Sequence, residues 1–472
     1  MGCERSAAAP EVRCDVAVIG AGPAGLAAAV AARQAGAAQV LVLEREPRCG
    51  GVLHQCVHDG FGLHLYGRSL TGPEYAERWE EAVAECGARV ARETTVVGAG
   101  YETGRARPFR LEAVGAPLGG RATVRARAVV AATGCRERTR GQLGIPGTRP
   151  SGVMTAGAAQ YLMNVANQLP GDKVVVLGSG DIGLIMARRL TLEGAEVRLV
   201  LGQKSTGLLR NHLRCIQDFS IPLREGWGVM AVHGAGTLKG VTVAPLLSDG
   251  TFDAARREYV RCNLLLLACG LVPEREALAG LAADTPGLFW CGNALEPHDL
   301  VDAVTQEGLL AGFSAARAAG AAGSLDRDTE RLLGREVREP KGRGGAMAAA
   351  DGRRLLACTV CPAGCIVTVD EAGAVEGAGC PRGQEYARSE LACPMRLFTG
   401  TARVEAGCAP LVPVRTAGEV PRDALRAVAR AVRRVRATAP VRVGQVLHPD
   451  IAGTGAALVA CASVPAAEGG VR

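Results

Sequence analysis

Two stretches of the chain share one pattern of apolar and polar positions. Each has a short unbroken apolar run, then a glycine-rich turn, then a long alanine- or leucine-rich segment. The first apolar run spans residues 15–19, and the second spans residues 173–177. Such a run is typical of a strand that is buried on both faces, as in a parallel sheet, and the segment after each turn is long enough for a helix. The pattern therefore predicts two strand–turn–helix units.

Further apolar runs extend both units. Residues 39–44 and 128–134 predict strands that belong with the first run, and residues 263–270 predict a strand that closes the second unit. A strand at 288–293 and a helix from Val301 to about Ala319 then return the chain to the first unit. We therefore predict an α/β fold in which one Rossmann-like domain is inserted into another.

The segments between these runs set the domain boundaries. A charged, glycine-rich composition is typical of a linker, and a cluster of cysteines marks the last part of the chain. The predicted order is a loose leader at 1–14, a first domain at 15–150 and 271–322, a second domain at 151–270, a linker at 323–351 and a small cysteine-rich α+β domain at 352–472.

Each predicted turn carries three glycines in the spacing GxGxxG. In the first copy we expect Gly20 to make the tight turn, Gly22 to let the backbone approach a pyrophosphate, and Gly25 to let the helix pack on the strand. The N-terminus of the helix favours phosphate charge. Because both copies stand in strand–helix context, the sequence predicts two dinucleotide sites. The predicted binding residues are Gly20, Gly22, Pro23, Ala24 and Gly25 in the first copy and Gly178, Gly180, Asp181, Ile182 and Gly183 in the second.

The two copies differ where an acidic residue usually binds the adenosine ribose. In the first copy Glu44 stands 19 positions after Gly25, and its carboxylate can accept hydrogen bonds from both ribose hydroxyls. The alternative is an exposed charge at the end of a strand. In the second copy the equivalent residue is Gly202, so the acidic partner is missing.

The residues after Gly202 bear on which nicotinamide cofactor is used. Gln203, Lys204 and Ser205 follow it directly. A missing carboxylate beside a cation favours a 2′-phosphate, and hence NADPH. Two alternatives stay open. Lys204 is a solvated loop residue and the cofactor is NADH, or the second site binds no nicotinamide at all.

With these motifs, residues 15–320 resemble the flavoprotein family with two dinucleotide-binding domains that includes the pyridine nucleotide–disulfide reductases. The resemblance implies FAD at the first site and NAD(P)H at the second. It places the N-terminus of the helix near Val301 at the flavin. Asn293 stands where the family usually has an aspartate beside the ribityl chain, so a hydrogen-bonding side chain is kept and a charge is lost. The further FAD contacts that the resemblance implies are Gly51, Thr133, Gly134, Gly292 and Asn293.

The disulfide reductases of this family carry a redox cysteine pair spaced CxxC or CxxxxC. Here Cys49 and Cys56 have six residues between them, so we do not expect a flavin-coupled dithiol. Cys56 and His58 share one face of a strand and could form a thiolate–imidazole pair. The favoured interpretation is that they pack around the flavin. His54, His64 and His298 are also expected to have structural roles.

Residues 55–62 resemble a subgroup of these flavoproteins. Members of the subgroup occur as subunits beside a second FAD-dependent dehydrogenase of the glycerol-3-phosphate or amine-oxidising type. The resemblance implies such a partner for this chain, as an analogy of fold rather than of site chemistry.

Four cysteines in the last domain have the spacing of a metal centre. They follow the order CxxCxxxC…C, in which four thiolates can surround an iron–sulfur cluster. Zinc fits four thiolates equally well by ligand type, and free thiols are the third alternative. Cys393 and Cys408 are offset from the group and are expected to be small buried residues. The predicted ligands are Cys358, Cys361, Cys365 and Cys380.

This domain resembles, over about 355–465, a small cysteine-rich domain family of uncharacterised function. In that family the domain is found beside or fused to this type of flavoprotein. The association favours transfer of electrons between flavin and cluster.

Composition narrows the function classes. The net charge is +7 with only 3% aromatic residues, so the aromatic platforms of single-stranded nucleic-acid readers are absent and no nucleic-acid partner is expected. No apolar stretch predicts a membrane-spanning helix, and thiols in a large redox protein favour the cytoplasm. We therefore predict an FAD-dependent NAD(P)H oxidoreductase that passes electrons between nicotinamide, flavin and an iron–sulfur centre, and we name no catalytic residue. The rival is a non-catalytic assembly protein with a structural zinc domain.

Overall fold

The structure, a computed structural model, describes residues 10–202, 213–337, 354–358, 360, 365–370 and 372–467. Its contacts divide the chain into two compact units. One holds the described residues of 1–136 and 271–337, and the other holds those of 137–270 and 338–472. The α-helices of the described residues are α1 Pro23–Gln34, α2 Leu63–Tyr66, α3 Gly72–Cys86, α4 Ala156–Asn164, α5 Asp181–Leu192, α6 Arg214–Gln217, α7 Val301–Ala318, α8 Arg327–Leu333, α9 Pro381–Ala392 and α10 Leu425–Val432.

A seven-stranded sheet forms the centre of the first unit. Its middle strand, Glu11–Ile19, pairs in parallel with a neighbour on each side, and all three are buried at their carboxyl ends. This burial on both faces explains why the runs are unbroken. The strand order is Arg89–Ala91, Val40–Leu43, Glu11–Ile19, Gly120–Ala131, Phe109–Gly115 and Thr95–Tyr101, with Leu288–Trp290 paired in parallel to Gly120–Ala131.

The first strand begins earlier than the sequence pattern indicates. Residues 11–14 pair with residues 123–126 of the long strand, and Cys14 is buried. The expectation of a loose leader is therefore wrong for residues 11–14, and residues 1–9 lie outside the described residues. The pattern misses this part because Glu11 and Arg13 interrupt the apolar run.

Helices α1 and α7 pack closely on one face of the sheet. A Cβ at Gly308 would lie 2.2 Å from the carbonyl oxygen of Ala24, and one at Gly312 would lie 2.0 Å from that of Ala28. Only glycine permits this approach, which sets the first turns of α1 against the middle of α7. Tyr75 of α3 is fully buried, and its hydroxyl is hydrogen-bonded to that of Thr305 of α7 at 2.8 Å.

The predicted linker begins with helix α8. Asp326 caps it, because its carboxylate accepts a hydrogen bond from the N–H of Thr329 at 2.8 Å. The aspartate before a short helical stretch is the signal that the composition of the segment conceals. The later part of the predicted linker, residues 338–351, lies outside the described residues.

The inserted part of the second unit repeats the parallel arrangement. Its five strands all run parallel, with Lys173–Leu177 at the centre as the apolar run predicts. The order is Val153–Thr155, Leu264–Leu267, Lys173–Leu177, Glu196–Gly202 and Leu223–Glu225. A separate antiparallel sheet follows, with strands Trp227–His233, Gly240–Pro245 and Glu258–Arg261.

The C-terminal part has two small sheets. The first carries α9 against its buried side, and the second packs against α10 around an apolar core. The first has strands Arg354–Ala357, Ile366–Val369 and Val375–Glu376, and the second has the order Arg436–Thr438, Thr399–Glu405, Leu411–Thr416, Leu458–Ala460 and Val446–His448. Short strand pairs are Asp59–Phe61 with Leu70–Thr71, Cys135–Glu137 with Leu271–Pro273, and Met395–Arg396 with Val420–Pro421.

Within the second unit, the C-terminal part docks on the insertion through buried polar groups. Arg396 is 7% exposed and binds the Asp218 carboxylate with both ends of its guanidinium, at 2.6 and 2.7 Å. It also pairs with Glu390, and these two carboxylates raise its pKa against the opposing effect of burial. Leu192 of α5 joins the apolar core of the C-terminal part. The interface is therefore specific and well packed.

Candidate functional site

The first glycine turn has the geometry of a phosphate cradle. Gly20 has φ +98° and a Cβ there would lie 2.4 Å from the carbonyl oxygen of Ala132, whereas a Cβ at Gly25 would lie 1.8 Å from that of Gly20. Gly22, the N-cap of α1, has nothing within 4 Å of a Cβ. The outer glycines thus serve the fold, and the middle one leaves open space at the N-terminus of a 12-residue helix. Pro23 and Ala24 form its first turn.

The second turn reproduces these distances. A Cβ at Gly178, with φ +118°, would lie 2.0 Å from the carbonyl oxygen of Ala268, and one at Gly183 would lie 2.1 Å from that of Gly178. Gly180 again has nothing within 4 Å of a Cβ and caps α5. Asp181 and Ile182 open α5, so an acidic side chain stands where the first copy has proline. Both turns fit a pyrophosphate on this evidence.

Glu44 is held beside the first turn. It is 5% exposed, its Oε2 accepts a hydrogen bond from the N–H of Ala21 at 2.6 Å, and its Oε1 accepts one from the N–H of Glu46 at 2.8 Å. The alternative of an exposed strand-end charge is therefore wrong. A carboxylate has about four acceptor positions, so Glu44 keeps capacity for ribose hydroxyls.

Two further predicted contacts lie around the first turn. Gly50 donates its N–H to the carbonyl oxygen of Ala21 at 2.7 Å, and a Cβ at Gly51, with φ +54°, would lie 3.2 Å from Cα of Gly22. Thr133 and Gly134 are fixed from the other side. The Thr133 hydroxyl donates to the carbonyl oxygen of Glu274, and the N–H of Glu274 donates to that of Gly134 at 2.9 Å.

The turn at Gly292 lies against the start of α1. Gly292 has φ +59°, and a Cβ there would lie 2.9 Å from Cβ of Ala24. Its N–H donates to Oε2 of Glu307 at 2.8 Å, and Oδ1 of Asn293 accepts from the N–H of His298 at 3.0 Å. The structure thus brings together the residues predicted for the first site. Sequence reasoning missed Glu307, which carries no local signal because it stands 15 residues from the N–H that it binds.

In the second site, the side chain of Ser179 occupies the space that an acidic residue at position 202 would need. A Cβ at Gly202 would lie 1.9 Å from Oγ and 2.5 Å from Cβ of Ser179, which is 6% exposed. The space of a carboxylate stem is therefore filled by Ser179, the residue between the first two glycines. Gln203, Lys204 and Ser205 lie outside the described residues.

The thiols near the first turn do not form an activated pair. Cys49 and Cys56 are buried and are not joined in a disulfide. Burial raises the pKa of Cys56 to about 12, so its thiol stays protonated at neutral pH. His58 lies against the ring of Phe61 with centroids 5.0 Å apart. The raised pKa disfavours a thiolate–imidazole pair, and the contact of His58 with Phe61 agrees with the packing interpretation.

Three of the four predicted metal ligands lie among the described residues, near the N-terminus of α9. A Cβ at Gly383 would lie 3.6 Å from Sγ of Cys358, one at Gly379 would lie 3.2 Å from Sγ of Cys365, and Cys380 caps α9. The pKa of the Cys380 thiol is lowered, mainly because its sulfur accepts a hydrogen bond from the backbone N–H of Gly383. No group of three His, Cys, Asp or Glu side chains within the described residues could hold a metal ion, and Cys361 is outside them.

Two other expectations for the cysteines and for the membrane have clear outcomes. Cys393 and Cys408 are exposed, so the expectation that they are buried is wrong. Cys393 caps the C-terminus of α9, and Cys408 lies in the loop between strands Thr399–Glu405 and Leu411–Thr416. No helix in the described part of the chain combines the length and hydropathy that crossing a bilayer requires.

The first unit has a mixed sheet whose central strands are parallel, and the insertion has an all-parallel sheet. Each sheet carries a glycine cradle at a helix N-terminus, and together they define a protein with two dinucleotide-binding domains. Comparison with known proteins agrees. Residues 14–289 match the family described as pyridine nucleotide-disulphide oxidoreductase, and the chain belongs to it. Membership indicates an FAD-dependent oxidoreductase with a nicotinamide cofactor. Residues 381–462 match the domain described as protein of unknown function (DUF1667).

Several characterised proteins are similar to this chain. An opine oxidase subunit of Agrobacterium tumefaciens (strain Ach5) is 35% identical over 211 residues, which is 43% of this chain and 40% of that protein. The hydrogen cyanide synthase subunit HcnB of Pseudomonas protegens is 27% identical over 282 residues, which is 55% of this chain and 57% of that protein. The chain thus spans about half the length of these relatives or less. The crystal structure of T. acidophilum thioredoxin reductase has the same fold over 65% of this chain and 97% of that one, with a TM-score of 0.51 and 20% identity.

Proposed function

We propose that this chain binds FAD at the first glycine turn and exchanges electrons there with a nicotinamide held at the second. The observation that carries this proposal is the repeated geometry, in which the middle glycine of each turn leaves open space at a helix N-terminus. Backbone N–H groups at such a terminus bind pyrophosphate without a cationic side chain. Family membership supports both cofactors.

At the first site, the residues have separate roles. Gly22 and the N-terminus of α1 hold the pyrophosphate, and Glu44 accepts hydrogen bonds from the adenosine ribose. Gly51 and Thr133–Gly134 line the same turn, and Asn293 meets the ribityl chain. FAD, when bound, would accept a hydride and release electrons one at a time. The protein orients the ring and excludes water, so no side chain needs to act as an acid or base.

At the second site, we propose NAD(P)H with NADPH favoured. The support is Gly202, which cannot carry a carboxylate without displacing Ser179, whose Oγ would lie 1.9 Å from its Cβ. A site without that carboxylate does not repel a 2′-phosphate. Lys204 is the cation that we propose for it. The alternative is NADH, bound without an acidic ribose partner, and a direct comparison of the Kd values for NADH and NADPH tests it.

We propose further that the chain works as one subunit of a larger enzyme. The relatives are subunits of an opine oxidase and of a hydrogen cyanide synthase. A second FAD-dependent dehydrogenase of the glycerol-3-phosphate or amine-oxidising type is the proposed partner. The cysteines in the described part of the chain form no disulfide, which supports a reducing compartment such as the cytoplasm.

The C-terminal part is proposed to hold an iron–sulfur centre on Cys358, Cys361, Cys365 and Cys380. The support is that Cys358 and Cys365 lie against glycines beside the start of α9, which Cys380 caps. The second candidate is a structural zinc ion in a docking domain. Four thiolates suit zinc as well as iron by ligand type, and a docking domain needs no redox centre.

Metal analysis of the purified chain separates the two candidates. Iron and sulfide with a broad visible absorbance beyond the flavin bands support electron transfer, whereas stoichiometric zinc and a plain flavin spectrum support docking. Cys380→Ser should remove the metal in either case, and Cys408→Ser, at an exposed thiol far along the chain from the group, should not. A metal content that Cys380→Ser leaves unchanged would overturn both candidates.

A further inference from the structure

A carboxylate on α7 holds the turn that carries Asn293. Oε2 of Glu307 accepts the N–H of Gly292 at 2.8 Å, and Oε1 of Glu307 lies 2.9 Å from Nε2 of His298. His298 donates its own backbone N–H to Oδ1 of Asn293 at 3.0 Å. The three side chains and the turn therefore form one closed hydrogen-bonded network.

The network fixes the direction in which the Asn293 amide points. A backbone N–H can only donate, so the amide atom that meets His298 is the oxygen. The nitrogen Nδ2 is then turned away from His298 and presents donors. An aspartate at this position would present only acceptors and would add a negative charge. Asn293 thus offers a different partner to a hydroxyl-bearing chain than an acidic residue does.

The missing charge is found beside the same turn. Glu307 binds the residue immediately before Asn293, and its side chain is 29% exposed, while that of His298 is 15% exposed. Partial burial leaves the field of the carboxylate less screened than at the surface. A negative charge therefore lies next to the turn, carried by Glu307 instead of by residue 293.

We propose that Glu307 and His298 together replace the acidic residue that this turn lacks. Glu307 supplies the negative charge, and both residues hold Asn293 as a hydrogen-bond donor to the ribityl chain. The proposal rests on FAD occupying the first site. Glu307 is a positioning residue, because it acts through Gly292, His298 and the electrostatic potential at the flavin.

The test uses the full chain reconstituted with FAD, in four variants. Glu307→Gln removes the charge, while its amide oxygen can still accept from the N–H of Gly292 and its amide nitrogen can donate to Nε2 of His298 in the other imidazole tautomer. Asn293→Asp introduces the residue that is usual in the family. The double variant has the charge count of the wild type. Glu296→Gln is the matched control, because Glu296 is an exposed carboxylate in the same loop whose N–H donates to the carbonyl oxygen of Gly292 at 3.1 Å.

The readouts are the Kd for FAD and the two-electron reduction potential of the bound flavin, both measured at one fixed pH. Glu307→Gln should raise the affinity ratio for reduced over oxidised flavin about tenfold, which is about 30 mV more positive. Asn293→Asp should lower the ratio by about the same factor, because two carboxylates then flank the turn. The double variant should return to within about threefold of the wild type, and Glu296→Gln should stay within about twofold.

Two results would overturn the proposal while FAD still binds the wild type. One is a Glu307→Gln potential equal to that of Glu296→Gln, and the other is a double variant that behaves as Asn293→Asp alone. A wild-type chain that binds no FAD would instead overturn the proposed function and this assignment together. The outcomes are therefore distinguishable.

Discussion

Replacing Gly22 by alanine should separate binding of FAD from folding. A Cβ at Gly22 meets nothing within 4 Å, and the φ of −73° suits any residue. The cost to the fold is that of alanine at an N-cap, about 1 kcal/mol or less. The new methyl group stands in the space that we assign to the pyrophosphate. The variant should therefore fold and fail to bind.

The expected loss of affinity follows from the hydrogen bonds at stake. Displacing the pyrophosphate removes one or two charge-assisted hydrogen bonds to backbone N–H groups, at about 1.5–3 kcal/mol each. The Kd for FAD should therefore rise by about 100-fold. Gly25→Ala should differ in kind, because its Cβ would lie 1.8 Å from the carbonyl oxygen of Gly20 and the backbone must move.

Fluorescence titration of the apo chain with FAD measures the Kd, and urea unfolding measures the stability of the same samples. Gly100→Ala is the control, since a Cβ there also meets nothing within 4 Å but lies away from the first turn, in the edge strand Thr95–Tyr101. A Gly22→Ala chain that binds FAD as tightly as the wild type would contradict the placement of the pyrophosphate at this turn. So would one that is as unstable as Gly25→Ala.

Three further predictions address other parts of the chain. Gly202→Glu alone should abolish nucleotide binding at the second site, because the new side chain collides with Ser179. Gly202→Glu combined with Ser179→Gly should shift the ratio of the Kd values for NADPH and NADH about tenfold in favour of NADH. An unshifted ratio in the double variant would contradict the ribose assignment. Arg396→Met should lower the free energy of unfolding of the second unit by about 3–5 kcal/mol, because it removes the cation that pairs with the buried Asp218 carboxylate. Arg422→Met at an exposed pair should cost less than about 1 kcal/mol, and equal costs would contradict the docking. Cys56, whose pKa burial raises to about 12, is protonated below that pH, so iodoacetamide at pH 8 should leave it unmodified in the native chain and label it after unfolding; labelling in the native chain would contradict its burial.

The central elements of both dinucleotide domains could be predicted from the sequence, because their signals are local. The strand Lys173–Leu177 and the helix Val301–Ala318 follow apolar patterns that a buried parallel sheet and a packed helix impose. The glycine spacing likewise requires only the turn itself. The structure adds the reason for each glycine, namely which carbonyl oxygen would collide with a Cβ.

The contacts that tune the sites could not be predicted, because they join residues that only the fold brings together. Ser179 and Gly202 follow or end neighbouring strands, and the collision between them is invisible in either motif. Glu307 reaches Gly292 across a loop and two turns of helix. The pairing of Arg396 with Asp218 spans 178 positions, so no pattern in composition indicates that the C-terminal part docks on the insertion.

The most direct test of two dinucleotide sites is an anaerobic titration of the FAD-loaded chain with NADPH, followed by flavin absorbance and compared with Gly180→Ala. Gly180, like Gly22, has nothing within 4 Å of a Cβ, so the variant should keep its FAD and its reduction by dithionite. We expect NADPH to bleach one flavin per wild-type chain, and we expect bleaching of the variant to require an about 100-fold higher NADPH concentration. Bleaching of the variant at the wild-type concentration, or a wild-type chain that retains no FAD, would contradict it.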